Sequence, residues 1–187
     1  MLAPLLFNPD AAARDRILTA AQRLFYQHGI RATGIDSVIA AAGVTKVTFY
    51  RHFPAKNQLI LAVLAQRHQR WMAGFRQALA GPAPLLEALP AALHSWFAEA
   101  DYRGCAFINT SAELGDSQPE VSAQAREHKR EMAQAIADRL TADERAKTGQ
   151  IMLLAEGAIV RVQLGEAREA VIADLRAALA AVLQRGA

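Results

Sequence analysis

The chain has a single cysteine, Cys105, among 187 residues. No disulfide can form within it, and a reducing compartment, the cytoplasm, is the expected setting. Aromatic residues are scarce at 6%, and β-branched runs bounded by turn residues are nearly missing, which excludes the short strands of a sandwich or barrel. The longest apolar stretch, about 151–164, is broken by Glu156 and Arg161, too early for a membrane span. The apolar opening at residues 1–7 lacks a basic start and is too short for a signal core, so it reads as an N-terminal arm. His28, His52, His68, His94 and His128 fall on separate segments without metal-ligand spacing, and no glycine-rich loop follows a strand. No metal, cofactor or catalytic centre is therefore expected.

What remains is abundant alanine and apolar residues at helical spacing, an all-α chain of about nine helices. The net charge of +3 is unevenly spread. Residues 1–80 carry ten lysines and arginines against three acidic side chains, a net +7, and the rest carry eleven against fifteen, a net −4. A basic front on an acidic back suggests a polyanion-binding module joined to a second function, although a solvated surface can also be uneven.

The first helix is predicted to open at Asn8-Pro9-Asp10, with Asn8 as cap and Pro9 at the first helical position. Ile17, Ala21, Leu24, Phe25 and His28 form its buried stripe, and Gly29 ends it. Thr33-Gly34-Ile35-Asp36 reads as a capping box for a short helix at about 35–42. Gly43 and Val44 make a tight turn, and Thr45 caps a third helix at about 45–51. Pro54 stops that helix, and Lys56 opens a long fourth one in which Arg67, His68 and Arg70 give a wet face. Further helices are expected at about 84–100, kinked by Pro90, at about 104–114, from Ser117-Gln118-Pro119, at about 142–164 and at about 168–185. The helix at 142–164 is apolar almost all round, as expected of one buried by its own core and by a second subunit. The predicted division is a helix-turn-helix domain at 1–56 and a helical body at 57–187.

Residues 33–56 carry the chemistry. Two short helices around a glycine turn form a helix-turn-helix, whose second helix enters the major groove of DNA. The N-terminus at Thr45 offers N–H groups and partial positive charge to a phosphate, with Lys46 beside it. Val47 and Thr48 are small enough to approach base edges. Tyr50, His52 and Lys56 can hold phosphates on the flanks, setting register while base contacts set preference. Val44, Phe49 and Phe53 read as core. Any one of these polar residues alone could be ordinary surface; together on a capped helix behind a glycine turn they point to operator DNA.

The run Ala42-Gly43-Val44-Thr45-Lys46-Val47-Thr48-Phe49-Tyr50-Arg51-His52-Phe53-Pro54-Ala55-Lys56-Asn57-Gln58-Leu59 resembles the DNA-binding signature of TetR/AcrR-family regulators, over about residues 10–65. The resemblance implies a nine-helix protein, a homodimer through the helices at about 142–164 and 168–185, and a small-molecule pocket in the body. It also implies phosphate contacts by Thr33, Lys46, Tyr50, His52 and Lys56, with Thr45, Val47 and Thr48 nearer the bases. Two positions depart from the pattern. Ile39 stands where alanine is usual and adds bulk between the second and third helices. Ala55 stands where serine is frequent, a lost cap of about 1 kcal/mol.

In the body, Trp71, Phe75, Trp96, Phe107 and Asn109 are candidate ligand-binding residues, with Phe97, Met132 and His94 further possibilities. Large residues at helical spacing also serve simply as core. Cys105, beside Arg103 at a predicted helix start, is either a ligand-binding or redox-sensing thiol or a small packed residue. Glu113 and Asp116 read as solvated. The expected protein is a repressor released from double-stranded operator DNA by a small apolar or amphipathic effector. The alternative is a helical dimeric small-molecule or redox sensor, working through Cys105, that does not act through DNA.

Overall fold

The computed structural model describes residues 8–184. Among them are nine α-helices, one 3-10 turn and no strand. Two compact units divide the chain.

Among the described residues the first unit comprises 8–69 together with Ala106–Arg126. It contains α1 (Ala13–His28), α2 (Ile35–Ala42), α3 (Lys46–His52), most of α4 (Lys56–Leu79), α6 (Ala106–Leu114) and the start of α7 (Pro119–Ala137). Helix α1 begins four residues later than the sequence suggests. Asn8 does not cap it: the Asp10 N–H donates to Asn8 Oδ1 at 2.9 Å, closing a local turn of the kind asparagine side chains favour over helix. Ile17, Ala21 and Phe25 are buried as expected, whereas Leu24 is half-buried and His28 is exposed. Gly29 follows at φ +84° and ψ 157°, a region open in practice to glycine alone.

The capping box at Thr33 is not formed. Gly34 is the residue before α2 and no side chain caps it. Thr33 is buried, and its hydroxyl donates to the Gly29 carbonyl at 2.7 Å and toward Leu24 O at 3.4 Å. The free carbonyls at the end of α1 draw the hydroxyl inward. After α2, Gly43 is left-handed at φ +60°. Its N–H donates to Ala40 O and that of Val44 to Ile39 O, the paired bonds of a Schellman turn. The Arg16 guanidinium donates to Ala42 O at 3.1 Å and to Gly43 O at 3.4 Å, placing positive charge on the carbonyl end of α2. Ile39 is half-buried, so its extra bulk is accommodated at the edge of the α2 packing face. Phe49 and Phe53 are buried and anchor α3. Arg67 does not belong to a wet face. It is buried, with its guanidinium over the Tyr26 ring at 4.0 Å.

Among the described residues the second unit comprises Arg70–Cys105 and 127–184. It holds the end of α4, α5 (Leu85–Phe97), the rest of α7, α8 (Thr148–Gln163) and α9 (Arg168–Gln184). Pro90 is accommodated inside α5 and buried. Arg139 donates to Gly81 O and Ala83 O, fixing the loop before α5. Helix α8 starts later than 142 because Glu144 accepts from the N–H and hydroxyl of Thr141, and a 3-10 turn at Arg145–Lys147 intervenes. Within one chain, α8 is not covered on every side. Ile151, Ala155, Ala158 and Ile159 are buried, but Leu153, Gly157, Val160 and Leu164 run as one exposed stripe, with Leu153 75% exposed. Arg161 pairs with Glu166 and Asp174 across the α8–α9 corner. No helix among the described residues is long and apolar enough to cross a membrane.

Candidate nucleic-acid interface

Helix α3 is held from beneath and open above. Thr45 caps it, its Oγ1 accepting from the Thr48 N–H at 3.1 Å, while the two hydroxyls lie 2.9 Å apart. Phe49 points inward with no exposed surface, edge-on to Tyr50. The opposite face presents Thr45, Lys46, Val47, Tyr50 and His52, all exposed, with Thr48 half-buried beside them. Val47 is 70% exposed, open and small enough to meet base edges. Lys46 lies 3.8 Å from Asp36, both strongly exposed, a pairing weak enough to yield to a phosphate.

Two of the predicted phosphate contacts are placed differently. Thr33 offers no hydroxyl at the surface, because its donor is spent on Gly29. Lys56 is half-buried, and its ammonium donates to Ile30 O at 2.6 Å. It braces the α1–α2 loop. Arg51, which sequence reasoning did not select, is exposed in the last turn of α3. Its position between Tyr50 and His52 was the available signal.

The family model described as "Bacterial regulatory proteins, tetR family" matches residues 17–63, the segment containing α2, the glycine turn and α3. The transcriptional activator FasR of Mycolicibacterium smegmatis is 30% identical over 162 residues, 86% of this chain and 73% of FasR. The crystal structure of SCO4454, a TetR-family transcriptional regulator from Streptomyces coelicolor, superposes with a TM-score of 0.82. It is 30% identical and covers 92% of this chain and 94% of its own. The chain belongs to the TetR family. It is a DNA-binding transcriptional regulator and not an enzyme, in a family whose members dimerise and bind operator DNA. The Escherichia coli transcriptional regulator UidR is 32% identical over 68 residues, 36% of this chain.

In this TetR-family regulator the body residues divide between the units. Trp71, Phe75, Trp96 and Cys105 belong to the second, and Phe107 and Asn109 to the first. Trp71 stacks on Phe75 at 4.7 Å and meets Trp96 edge-on at 5.3 Å. Phe107 packs edge-on to His68, and Asn109 is half-buried. Cys105 precedes α6 rather than lying in its first turn, and is only 2% exposed. A sealed thiol meets oxidants poorly. Gly104 beside it lies at φ +78°, where an L side chain is strained, and a Cβ there would displace the end of the Gln163 side chain. An open groove of about 800 Å³ runs along Ala78, Leu86, Ala91, Arg176 and Ala177, where the sequence drew no attention.

Glu113 has a structural part that the sequence did not reveal. Its carboxylate is not solvated at a helix end. It accepts from the N–H of Ile30 at 3.1 Å and of Arg31 at 2.9 Å. Together with Lys56 on Ile30 O, it ties α6 and α4 to the loop that carries α2 and α3. No local signal marks a bond spanning more than eighty residues of chain.

Proposed function

We propose that this regulator is a cytoplasmic homodimeric repressor released from its operator when a small apolar or amphipathic molecule binds its body. The observation that carries the reading is the exposed α3 face of Lys46, Val47, Tyr50 and His52 over a buried Phe49. Thr45, Val47 and Thr48 read bases, while Lys46, Tyr50 and His52 hold phosphates. Thr33 and Lys56 act from behind, through the α1–α2 loop, or by their backbone. Functionally the chain divides into a DNA-binding part at 1–56 and a ligand-binding and dimerisation part at 57–187. The exposed Leu153–Leu164 stripe of α8, with α9, supports the dimer interface, which sets two α3 helices about 34–36 Å apart. Trp71, Phe75, Trp96, Phe107 and Asn109 supply candidate ligand contacts, and Cys105 a packed wall.

Ligand release follows from α4, which belongs to both units. A tilt of α4 moves Lys56 and the loop it braces, and a misplaced pair of α3 helices loses several contacts together. The test is a gel shift with DNA upstream of the chain's own coding region. Retarded DNA, and its loss in Lys46→Ala and Tyr50→Phe, supports the reading. Unchanged binding in both variants removes the site assignment. A second reading, activation in place of repression, is favoured by the name of FasR, an activator. Transcription from the bound promoter with and without the protein decides between them.

A further inference from the structure

The reading of the body as a ligand sensor leaves the effector's chemistry open, and one cluster in the second unit narrows it. Trp71 of α4 and Trp96 of α5 are the only two tryptophans of the chain, and both are 2% exposed. Their rings meet edge-on, 5.3 Å between centroids. Phe75 stacks on Trp71 and His128 abuts it at 5.0 Å, while Tyr102 abuts Trp96 at 5.3 Å. Both indole Nε1 atoms are buried without a hydrogen-bond partner among the described residues. Buried donors of this kind are uncommon in folded proteins because each forgoes its bond to water. Two in contacting rings form a pattern that a single packing fault does not produce.

An ordered water needs two to four polar partners, and the neighbours of the two indoles are chiefly aromatic rings. An acceptor carried on an apolar body suits the cluster better, because its body stacks while its lone pair takes the N–H. The rings include no permanent charge, so a charged group would lose its hydration without an opposite charge to replace it. Neither tryptophan lines an open cavity among the described residues, but one lies within a helical turn of each in sequence. A depression of about 220 Å³ is lined by Gly74, Gln77, Ala78, Ala92 and Ser95. Gly74 stands one turn from Trp71 along α4 and Ala92 one turn from Trp96 along α5. Small residues at those points are where a ring entering from the depression would pass.

We propose that the effector is a neutral, planar aromatic molecule bearing hydrogen-bond acceptors, such as a ring nitrogen, ketone or quinone oxygen, and that it binds by accepting from Trp71 Nε1 or Trp96 Nε1. This deepens the proposed ligand-responsive function and rests on it for its biological meaning. It requires no change in covalent chemistry.

The test compares quinoline with naphthalene, two molecules of one shape that differ in a single acceptor. The full-length protein is titrated with each while tryptophan emission and thermal midpoint are read. Quinoline is expected to shift the emission and bind about tenfold more tightly than naphthalene. Trp71→Phe and Trp96→Phe each remove one donor and keep a ring; at least one should bring the preference below about threefold without lowering the midpoint of the free protein. A merely structural indole would leave the preference unmoved. Equal binding of the two probes by the wild-type protein overturns the proposal whatever the variants do, as does an unchanged preference in both folded variants. Operator affinity measured with and without quinoline addresses the other reading separately. Quinoline that binds at the tryptophans but leaves operator affinity unchanged contradicts ligand release, not the site.

Discussion

Replacing Glu113 by alanine removes both acceptors that hold Ile30 and Arg31, and the cost can be worked from their surroundings. Hydrogen bonds to a charged group contribute about 1.5–3 kcal/mol each where the donor is shielded. Arg31 is exposed and its N–H turns to water when the carboxylate leaves, so that bond contributes little. The Ile30 N–H lies partly buried and is left without an acceptor. The net loss is about 2 kcal/mol. For a chain of this size each kcal/mol moves the thermal midpoint by about 2–4 °C, so Glu113→Ala should melt about 4–8 °C below wild type by calorimetry. Asp116→Ala, an exposed neighbour, should stay within about 0.5 kcal/mol. Amide exchange at Ile30 and Arg31 should quicken in the Glu113 variant before any global change. A variant that melts with wild type, with protected amides at those two residues, would refute the clasp and the coupling of α6 to the α1–α2 loop.

Gly43→Ala places a side chain in a left-handed turn with open space around its Cβ, so the cost is backbone strain alone, about 1–2 kcal/mol by denaturant titration. Leu153→Asp sets a charge in the exposed α8 stripe and should yield monomer in sedimentation, while an unaltered dimer would place the interface elsewhere. The carboxyl of Glu144 is held below its ordinary value first by the Thr141 N–H and then by the Thr141 hydroxyl. Its contribution is present above the ordinary glutamate range and is lost as pH falls through the lowered value. Glu144→Gln should therefore flatten part of the acid limb of thermal midpoint against pH, and an identical limb in the variant would contradict this.

The helix-turn-helix was legible because its determinants are local. Gly43 supplies the only cheap left-handed residue at the turn, Thr45 caps the residue three ahead, and Phe49 and Phe53 sit on the buried side of their helix. The misreadings share a physical cause, competition from partners that the local pattern does not reveal. Asn8 closes a turn on Asp10 instead of capping a helix. Thr33 serves the end of α1 rather than the start of α2, and Glu144 bonds back to Thr141, delaying α8. Glu113 and Lys56 act on Ile30 across distances in sequence that no periodicity reports. The apolar surround of α8 was visible, but within one chain Leu153, Gly157, Val160 and Leu164 stay exposed, the stripe that the proposed dimer would cover. The Trp71–Trp96 pair was selected for bulk alone, since unpartnered N–H groups are visible only in three dimensions.

The central claim is that the exposed face of α3 meets DNA, and Val47→Asp tests it most directly. Val47 lies in the first turn of α3 and is open to solvent, so aspartate there is neutral or mildly stabilising for the fold. Against a duplex the same carboxylate faces phosphates and base edges. Fluorescence anisotropy on an operator fragment at fixed salt should show affinity reduced more than about a hundredfold, with an unchanged melting curve. Full operator binding by the folded Val47→Asp protein would contradict the account.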